Sequence, residues 1–197
     1  AMLKAAEILI EGQYLAKNAT KAYEYYMVLA DKGNIYSCVK MGQHLEEAGQ
    51  FSDAAAFYAT AAEKEDPVGM YSYGKLLLEG KGVEKDVSKG VKLISKAADK
   101  EHPAALTKYG TILLSGAFDV KKNEKKGFKM IKQAVDLGDK DALHHMATSY
   151  EYGKGTKIDL KKAAEFYEKS YQSGNQYAND DQNNQFRVQR DIEQSKK

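Results

Sequence analysis

Proline, cysteine and tryptophan are scarce in this sequence. Its 197 residues include 2 prolines, 1 cysteine and no tryptophan. Proline interrupts helices and makes up about 5% of average sequences, so its scarcity favours a mainly helical chain. A single cysteine, Cys38, cannot form an internal disulfide, which excludes a small scaffold held together by disulfides. The sequence also lacks an apolar run long enough to cross a bilayer.

Charge is nearly balanced overall. With 29% charged and 43% hydrophobic residues, the composition is that of a globular protein. A net charge of +2 gives no strong overall attraction to nucleic acid. The first residues show no signal-peptide pattern, and the expected compartment is the cytoplasm.

A unit of similar sequence recurs along the chain. Pro67 opens PVGMYSYGKLLLEG, and Pro103 opens the related stretch PAALTKYGTILLSG. Related stretches occupy residues 35–49 and 141–153, with a partial copy at 3–12, and each is followed by a second amphipathic run. A fixed period of this kind indicates a repeat protein. The predicted organisation is five helix pairs, over residues 1–34, 35–66, 67–102, 103–139 and 140–175.

The starts and ends of the second helices carry capping residues. Four residues suited to the N-cap occupy the same repeat position: Asn18, Asp86, Asn123 and Asp159. In the second pair the connection is about four residues shorter, and Ser52 is the expected cap. Gly33, Gly138 and Gly174 are expected to end second helices in the left-handed conformation. Pro67 and Pro103 suit the first turn of a helix.

Small residues recur where paired helices should approach each other. They are Ala6, Gly42, Gly74, Gly110 and Ala147 on the first helices, and Ala22, Ala54, Gly90, Gly127 and Ala163 on the second helices. One pair cannot bury its apolar face alone, so the pairs must stack. The predicted fold is all-α, a right-handed α-α superhelix (solenoid) of about five helix pairs.

The repeats resemble the Sel-1-like repeat family, a relative of the tetratricopeptide repeats with a longer loop inside each helix pair. The fifth pair matches the family pattern through Ala142, Met146, Ala147, Tyr150, Gly153, Gly155, Asp159, Lys162, Ala163, Phe166 and Lys169. The second pair lacks the Gly-x-Gly loop and looks like an ordinary tetratricopeptide unit, and the fourth has GAFDV in its place. Residues 1–175 are therefore the expected repeat domain.

The resemblance implies a protein–protein interaction scaffold or adaptor, as in signalling, without cofactor or catalytic residues. An alternative is the regulatory or substrate-recruiting segment of a larger enzyme, such as a kinase or a ubiquitin-ligase complex of ER-associated degradation. The sequon Asn18-Ala19-Thr20 would fit a luminal compartment, but Asn18 is also explained as an N-cap.

If first helices line the concave side, as in tetratricopeptide arrays, a partner segment is expected to bind there. The residues predicted to line this surface are Tyr36, Val39, Gln43, Tyr71, Lys75, Thr107, Thr111, His144, Thr148 and Glu151. No metal is expected, because the adjacent His144 and His145 point about 100° apart on a helix. No hydrolase, zinc or phosphate-loop motif is present either. Cys38 is expected to be a small buried residue rather than a nucleophile.

Lysines at helical spacing mark the middle of the chain. The stripe consists of Lys85, Lys89, Lys92 and Lys96, continued by Lys122, Lys125 and Lys129. It is either a solvated face or a site for an acidic partner, a membrane surface or nucleic acid, although no arginine or interleaved aromatic residue accompanies it.

The last residues differ in composition from the repeats. Residues 176–197 are rich in Asn and Gln and have Phe186, Val188 and Ile192 as apolar positions. They are expected to form a polar capping helix or a linker toward a further part of a larger chain.

Overall fold

The computed structural model describes residues 1–11 and 18–195, and these residues form helices without strands. The α-helices are α1 (Met2–Glu11), α2 (Ala19–Asp31), α3 (Ile35–Glu47), α4 (Phe51–Glu63), α5 (Pro67–Glu79), α6 (Val87–Asp99), α7 (Pro103–Ser115), α8 (Glu124–Asp136), α9 (Lys140–Tyr152), α10 (Leu160–Ser173) and α11 (Ala178–Gln194). A short 3₁₀ helix spans Ala117–Asp119. The all-α prediction is confirmed. The Gly12 end of the first copy lies outside the described residues.

The predicted caps are confirmed with one exception. The side chains of the four predicted N-caps accept hydrogen bonds of 2.9–3.1 Å from the backbone N–H three residues later: Asn18, Asp86, Asn123 and Asp159. The prediction for Ser52 is wrong, because α4 begins at Phe51 after Gln50, which makes no side-chain cap. The shorter connection starts this helix before Ser52, which therefore lies in its first turn.

Paired helices cross at the small residues, as predicted. A Cβ atom placed on Gly90 would lie 2.8 Å from the carbonyl oxygen of Gly74. In the next pair, a Cβ on Gly127 would lie 2.7 Å from the carbonyl oxygen of Gly110. Backbone therefore packs against backbone at these crossings, with no space for a side chain.

The chain divides into two compact units, Ala1–Ala97 and Ala98–Lys197. In the first unit, Ala6, Ala22, Tyr26 and Cys38 belong to one apolar core, and Cys38 is buried as predicted. In the second unit, Tyr167 packs with α11 through Val188. None of the helices in the described part of the chain is long and apolar enough to span a membrane.

Two connections inside helix pairs fold back onto the preceding pair. Gly82, in the connection between α5 and α6, packs against the backbone of Phe51 and Ser52 at the start of α4. Gly155, between α9 and α10, packs against Glu124 and Phe128 of α8. Both glycines have positive φ, +67° and +73°, which suits glycine and lets the backbone approach closely. The connection between α3 and α4 has only residues 48–50 and contains no such turn.

Candidate functional site

The residues predicted to line the first-helix surface differ in accessibility. Tyr36 is 43% exposed, whereas the side chains of Val39, Thr107 and Glu151 are buried. The remaining six are partly buried: Gln43, Tyr71, Lys75, Thr111, His144 and Thr148. A partner that binds this surface would therefore contact Tyr36 and the six partly buried residues before the three buried ones.

In the first unit, Tyr36 and Gln43 line a pocket of about 220 Å³ between α1, α2 and α3. Among the described residues, the lining consists of Glu7, Ile10, Glu11, Tyr23, Tyr26, Tyr36, Lys40, Gln43, His44 and Glu47. The pocket combines three tyrosines with three carboxylates and one lysine. A pocket with aromatic walls and an acidic rim suits a segment that carries apolar and basic side chains.

Ring contacts fix the tyrosine walls. The rings of Tyr26 and Tyr36 meet edge to face with centroids 6.3 Å apart, and Lys40 Nζ lies 5.3 Å from the Tyr36 centroid. Tyr23 stacks on His44 at 3.6 Å. Burial, followed by the neighbouring Tyr36, raises the pKa of Tyr26 to about 12. Its hydroxyl therefore stays protonated at and well above neutral pH.

Lys75 belongs to a side-chain cluster that joins three helices. Its Nζ lies 2.7 Å from Oε1 of Glu46, and the Tyr58 hydroxyl donates to Oε2 of the same carboxylate at 2.8 Å. Burial raises the pKa of Glu46, but hydrogen bonds from Lys75 and Tyr58 outweigh it and lower the pKa below its usual value. The cluster holds the carboxylate ionised and ties α5 to α3 and α4.

The second unit contains the same arrangement at Glu151. The Tyr167 hydroxyl donates to Oε2 of Glu151 at 2.7 Å, and Arg187 Nη2 lies 2.7 Å from Oε1. Burial raises the pKa of Glu151, whereas hydrogen bonds from Tyr167, Tyr152 and Arg187 lower it, and the net shift is downward. Arg187 comes from α11, so the last helix contributes the cation that α5 contributes in the first unit.

The sequence predicted Lys75 and Glu151 but missed their partners. Aligned on the small residues, Glu46 and Glu151 share one repeat position, and Tyr58 and Tyr167 share another. The third pair has Leu78 and Ile94 at these positions, and the fourth has Leu114 and Ile131, all buried. The sequence does carry a signal for this cluster: at these two repeat positions, Glu and Tyr together replace the Leu and Ile of the third and fourth pairs.

His144 contacts α11. Its Nδ1 lies 2.7 Å from Oδ1 of Asp181, a residue with no exposed surface, and its ring stacks on Tyr177 at 4.1 Å. Burial, with the neighbouring His144, lowers the pKa of His145 to about 4. The imidazole of His145 is therefore neutral at pH 7. His144 helps to dock the last helix.

The three threonines bond within the second unit. Thr107 donates to Asp139 at the start of α9. Thr111 and Thr148 donate to carbonyl oxygens of their own helices, at 2.7 and 3.0 Å. These bonds stabilise the first helices and leave Thr111 and Thr148 partly exposed.

The predicted lysines lie on exposed faces of both units. Lys89 Nζ lies 5.2 Å from the Tyr73 centroid in the first unit. In the second unit, Lys126, which is not one of the predicted lysines, has its Nζ 5.8 Å from the Tyr109 centroid. Lys122 pairs with Glu124 at 2.6 Å. Within residues 1–11 and 18–195, no three His, Cys, Asp or Glu side chains converge in a way that could hold a metal ion.

Comparison with protein families gives one match. The family model for the Sel1 repeat matches residues 1–34, 67–102, 103–139 and 140–175. A comparison with curated proteins found no match.

Several solved structures share the fold. A Sel1 repeat protein from Oxalobacter formigenes has a TM-score of 0.75 and 25% identity, over 90% of this chain and 74% of that protein. The protective antigen c5321 of uropathogenic Escherichia coli, which displays an SLR fold, has a TM-score of 0.73 and 23% identity, over 90% of this chain and 39% of that protein. A putative Sel1 repeat protein from Klebsiella pneumoniae has a TM-score of 0.55 and 17% identity, over 95% of this chain and 91% of that protein.

Proposed function

Because the chain belongs to the Sel1 repeat family, we propose that it is a non-catalytic scaffold that binds a segment of a partner protein on its first helices. The family consists of helical repeat proteins that generally mediate protein–protein interactions. The observation that carries the proposal is the pocket around Tyr36 and Gln43, where an exposed tyrosine stands beside a cavity of about 220 Å³. Tyrosine in such a setting supplies contact area and a hydrogen bond with little loss of side-chain freedom.

The charges of the pocket support a particular partner chemistry. Glu7, Glu11 and Glu47 line the pocket together with one cation, Lys40. A segment with lysine or arginine next to an apolar side chain would pair its cation with this rim and place its apolar group against the tyrosine walls. In the second unit, Thr111, His144 and Thr148 are the accessible members of the predicted surface, and they extend the proposal to that unit.

A peptide library selected for binding to the whole chain tests this proposal. Enriched peptides should carry basic and apolar residues, and Tyr36→Ala should weaken their binding about tenfold, as expected for loss of an aromatic anchor. Tyr171→Ala is the matched control, because Tyr171 is 37% exposed on α10 in the other unit. Peptides that bind wild type and Tyr36→Ala equally would refute the role of this pocket.

The lysine stripe is a second proposed contact, for an acidic partner segment. Lys89, Lys92 and Lys96 of α6, and Lys85 in the connection before it, are all exposed. The absence of arginine favours a simple charged contact over planar recognition of phosphate. An acidic peptide should bind at low salt, and its affinity should fall steeply with ionic strength and in the double variant Lys92→Glu, Lys96→Glu. Binding unaffected by salt would contradict it.

A further inference from the structure

A second groove in the first unit lies against α2 and α3. Its volume is about 570 Å³, and it is lined by Ala19, Thr20, Tyr23, Glu24, Met27, Val28, Met41, His44 and Leu45. Met27 and Val28 are 38% and 41% exposed. The groove shares Tyr23 and His44 with the tyrosine pocket, but none of its other lining residues. Its walls are mainly apolar.

The repeat alignment shows what fills this place elsewhere in the chain. Aligned on Ala22, Ala54 and Gly127, the residues Ala19 and Thr20 correspond to Phe51 and Ser52 of α4. Those are the residues against which the Gly82 turn packs.

The second unit gives the same result independently. In α8, Glu124 and Phe128 correspond to Ala19 and Tyr23 of α2. They are the residues against which the Gly155 turn packs. In two helix pairs, therefore, the position equivalent to the Ala19–Tyr23 end of the groove is covered by the connection of the following pair.

The groove on α2 lacks this cover because the following connection is short. The connection between α3 and α4 has residues 48–50 and no Gly-x-Gly turn. It ends the helix and turns the chain, since Gly49 has a φ of +76°. Within the described residues, no such turn of the second pair packs on Ala19 and Tyr23, and Met27 and Val28 farther along α2 are 38% and 41% exposed.

We propose that this groove binds an extended segment of a partner protein whose chemistry copies the Gly-x-Gly connection: small residues, an apolar side chain and a flanking lysine or arginine. In the covered site, Val83 packs against the core that contains Ala54, Tyr58 and Leu76. Lys81 of the same connection lies 5.6 Å from the Phe51 ring centroid. These contacts show which groups the site accepts.

Charge supports the same occupant. Residues 1–80 contain seven lysines and eleven acidic residues. Glu24 lies in the groove lining itself. A basic side chain beside the apolar group therefore meets a favourable field, whereas an acidic segment would be repelled. The groove shares Tyr23 and His44 with the pocket of the proposed function but differs in its other lining residues, so variants at Val28 and Tyr36 test the two proposals separately.

The test uses a synthetic peptide with the sequence GKGVEK, which copies residues 80–85 and has two lysines and one acidic residue. Added at up to millimolar concentration to the ¹⁵N-labelled whole chain, it should shift the amide signals of Met27, Val28 and Leu45. Val28→Glu should weaken binding about tenfold, because it places a charge in the apolar wall. Leu137→Glu is the matched control, since Leu137 is 47% exposed in the other unit. Tyr36→Ala should leave binding of this peptide unchanged.

A second variant keeps the test independent of any effect of Val28→Glu on folding. Replacing residues 48–50 with a connection that contains GKGVEKD should fill the groove from within the chain and abolish peptide binding. Equal binding to wild type and to either groove variant, or no shift at millimolar peptide, would overturn the proposal. Concentration-dependent shifts of the groove signals without peptide would overturn it in favour of a second copy as occupant.

Discussion

The Tyr167 hydroxyl donates a 2.7 Å hydrogen bond to Oε2 of Glu151, and both side chains are buried. Burial, together with the Glu151 carboxylate, raises the pKa of Tyr167 far above its ordinary value, so its hydroxyl remains a donor. The other oxygen of Glu151 meets Arg187 of α11 at 2.7 Å. This pair therefore links the fifth helix pair to the last helix.

We expect Glu151→Leu to destabilise the chain by about 2 kcal/mol, because the Tyr167 hydroxyl would remain buried without its acceptor. The double variant Glu151→Leu, Tyr167→Phe should recover at least about 1 kcal/mol, since it also removes the orphaned donor. Urea unfolding measures both. Glu165→Leu, on the exposed side of α10, is the control and should change stability by less than about 0.5 kcal/mol. A double variant no more stable than Glu151→Leu would contradict this account.

His145 should make stability fall in mild acid. Burial, followed by the adjacent His144, lowers its pKa to about 4. The unfolded chain, with a histidine pKa of about 6.5, binds more protons between these values, so the free energy of unfolding decreases as the pH falls through this window. The loss attributable to His145 from pH 7 to pH 5 is about 2 kcal/mol.

The comparison variant for this prediction is His145→Gln, which has no titrating side chain. Urea unfolding of both proteins at pH 7 and pH 5 measures the difference in slope, and contributions from Asp141 and other shared groups cancel. Identical pH dependence in the two proteins would show that His145 does not titrate in this way.

Gly127→Ala should destabilise the chain by about 1–3 kcal/mol, the usual cost of overpacking. Alanine is normally better than glycine inside a helix by about 1 kcal/mol. Here its Cβ would lie 2.7 Å from the carbonyl oxygen of Gly110. Ser88→Ala, at an exposed position of α6, is the control and should be neutral or slightly stabilising. Thermal and urea unfolding show whether Gly127→Ala lowers or raises the free energy of unfolding. A stabilised Gly127→Ala would show that the two helices can move apart without cost.

Gly138→Ala should cost about 1–2 kcal/mol for a conformational reason alone. Gly138 has a φ of +86°, and no atom lies within 4 Å of the position that a Cβ would take. The corresponding residue after α6 is Glu101, with a φ of +60°. Gly138→Asn, measured by urea unfolding, should cost less than Gly138→Ala, because asparagine tolerates the left-handed region. Equal costs for the two variants would argue against a backbone origin.

The helices and their boundaries follow closely from the sequence. Asn18, Asp86, Asn123 and Asp159 cap second helices because an N-cap needs only a short polar side chain and its own backbone. Ser52 was mispredicted as a cap because the shorter connection changed where α4 begins. The spacing of the repeat therefore predicts an N-cap residue only where the connection before the helix has its usual length.

The accessibility of the candidate site was less predictable. Tyr36 is exposed, but Val39, Thr107 and Glu151 are buried, although all four lie on first helices. Thr107 and Glu151 are each bonded to a residue from two helices farther along, Asp139 at the start of α9 and Arg187 of α11. Such contacts join residues 32 or more positions apart, which helical periodicity does not specify.

The sequence by itself determined that this protein is a helical repeat chain, with its caps, its small-residue crossings and its missing turn in the second pair, because these features act within one repeat of the chain. Only the tertiary structure decided which side chains later helices cover, that α11 supplies the cation for Glu151, and that an apolar groove lies beside Met27 and Val28. Those outcomes depend on how successive pairs pack, because the neighbouring helices decide which apolar groups of a helix are buried and which of its charged groups are paired.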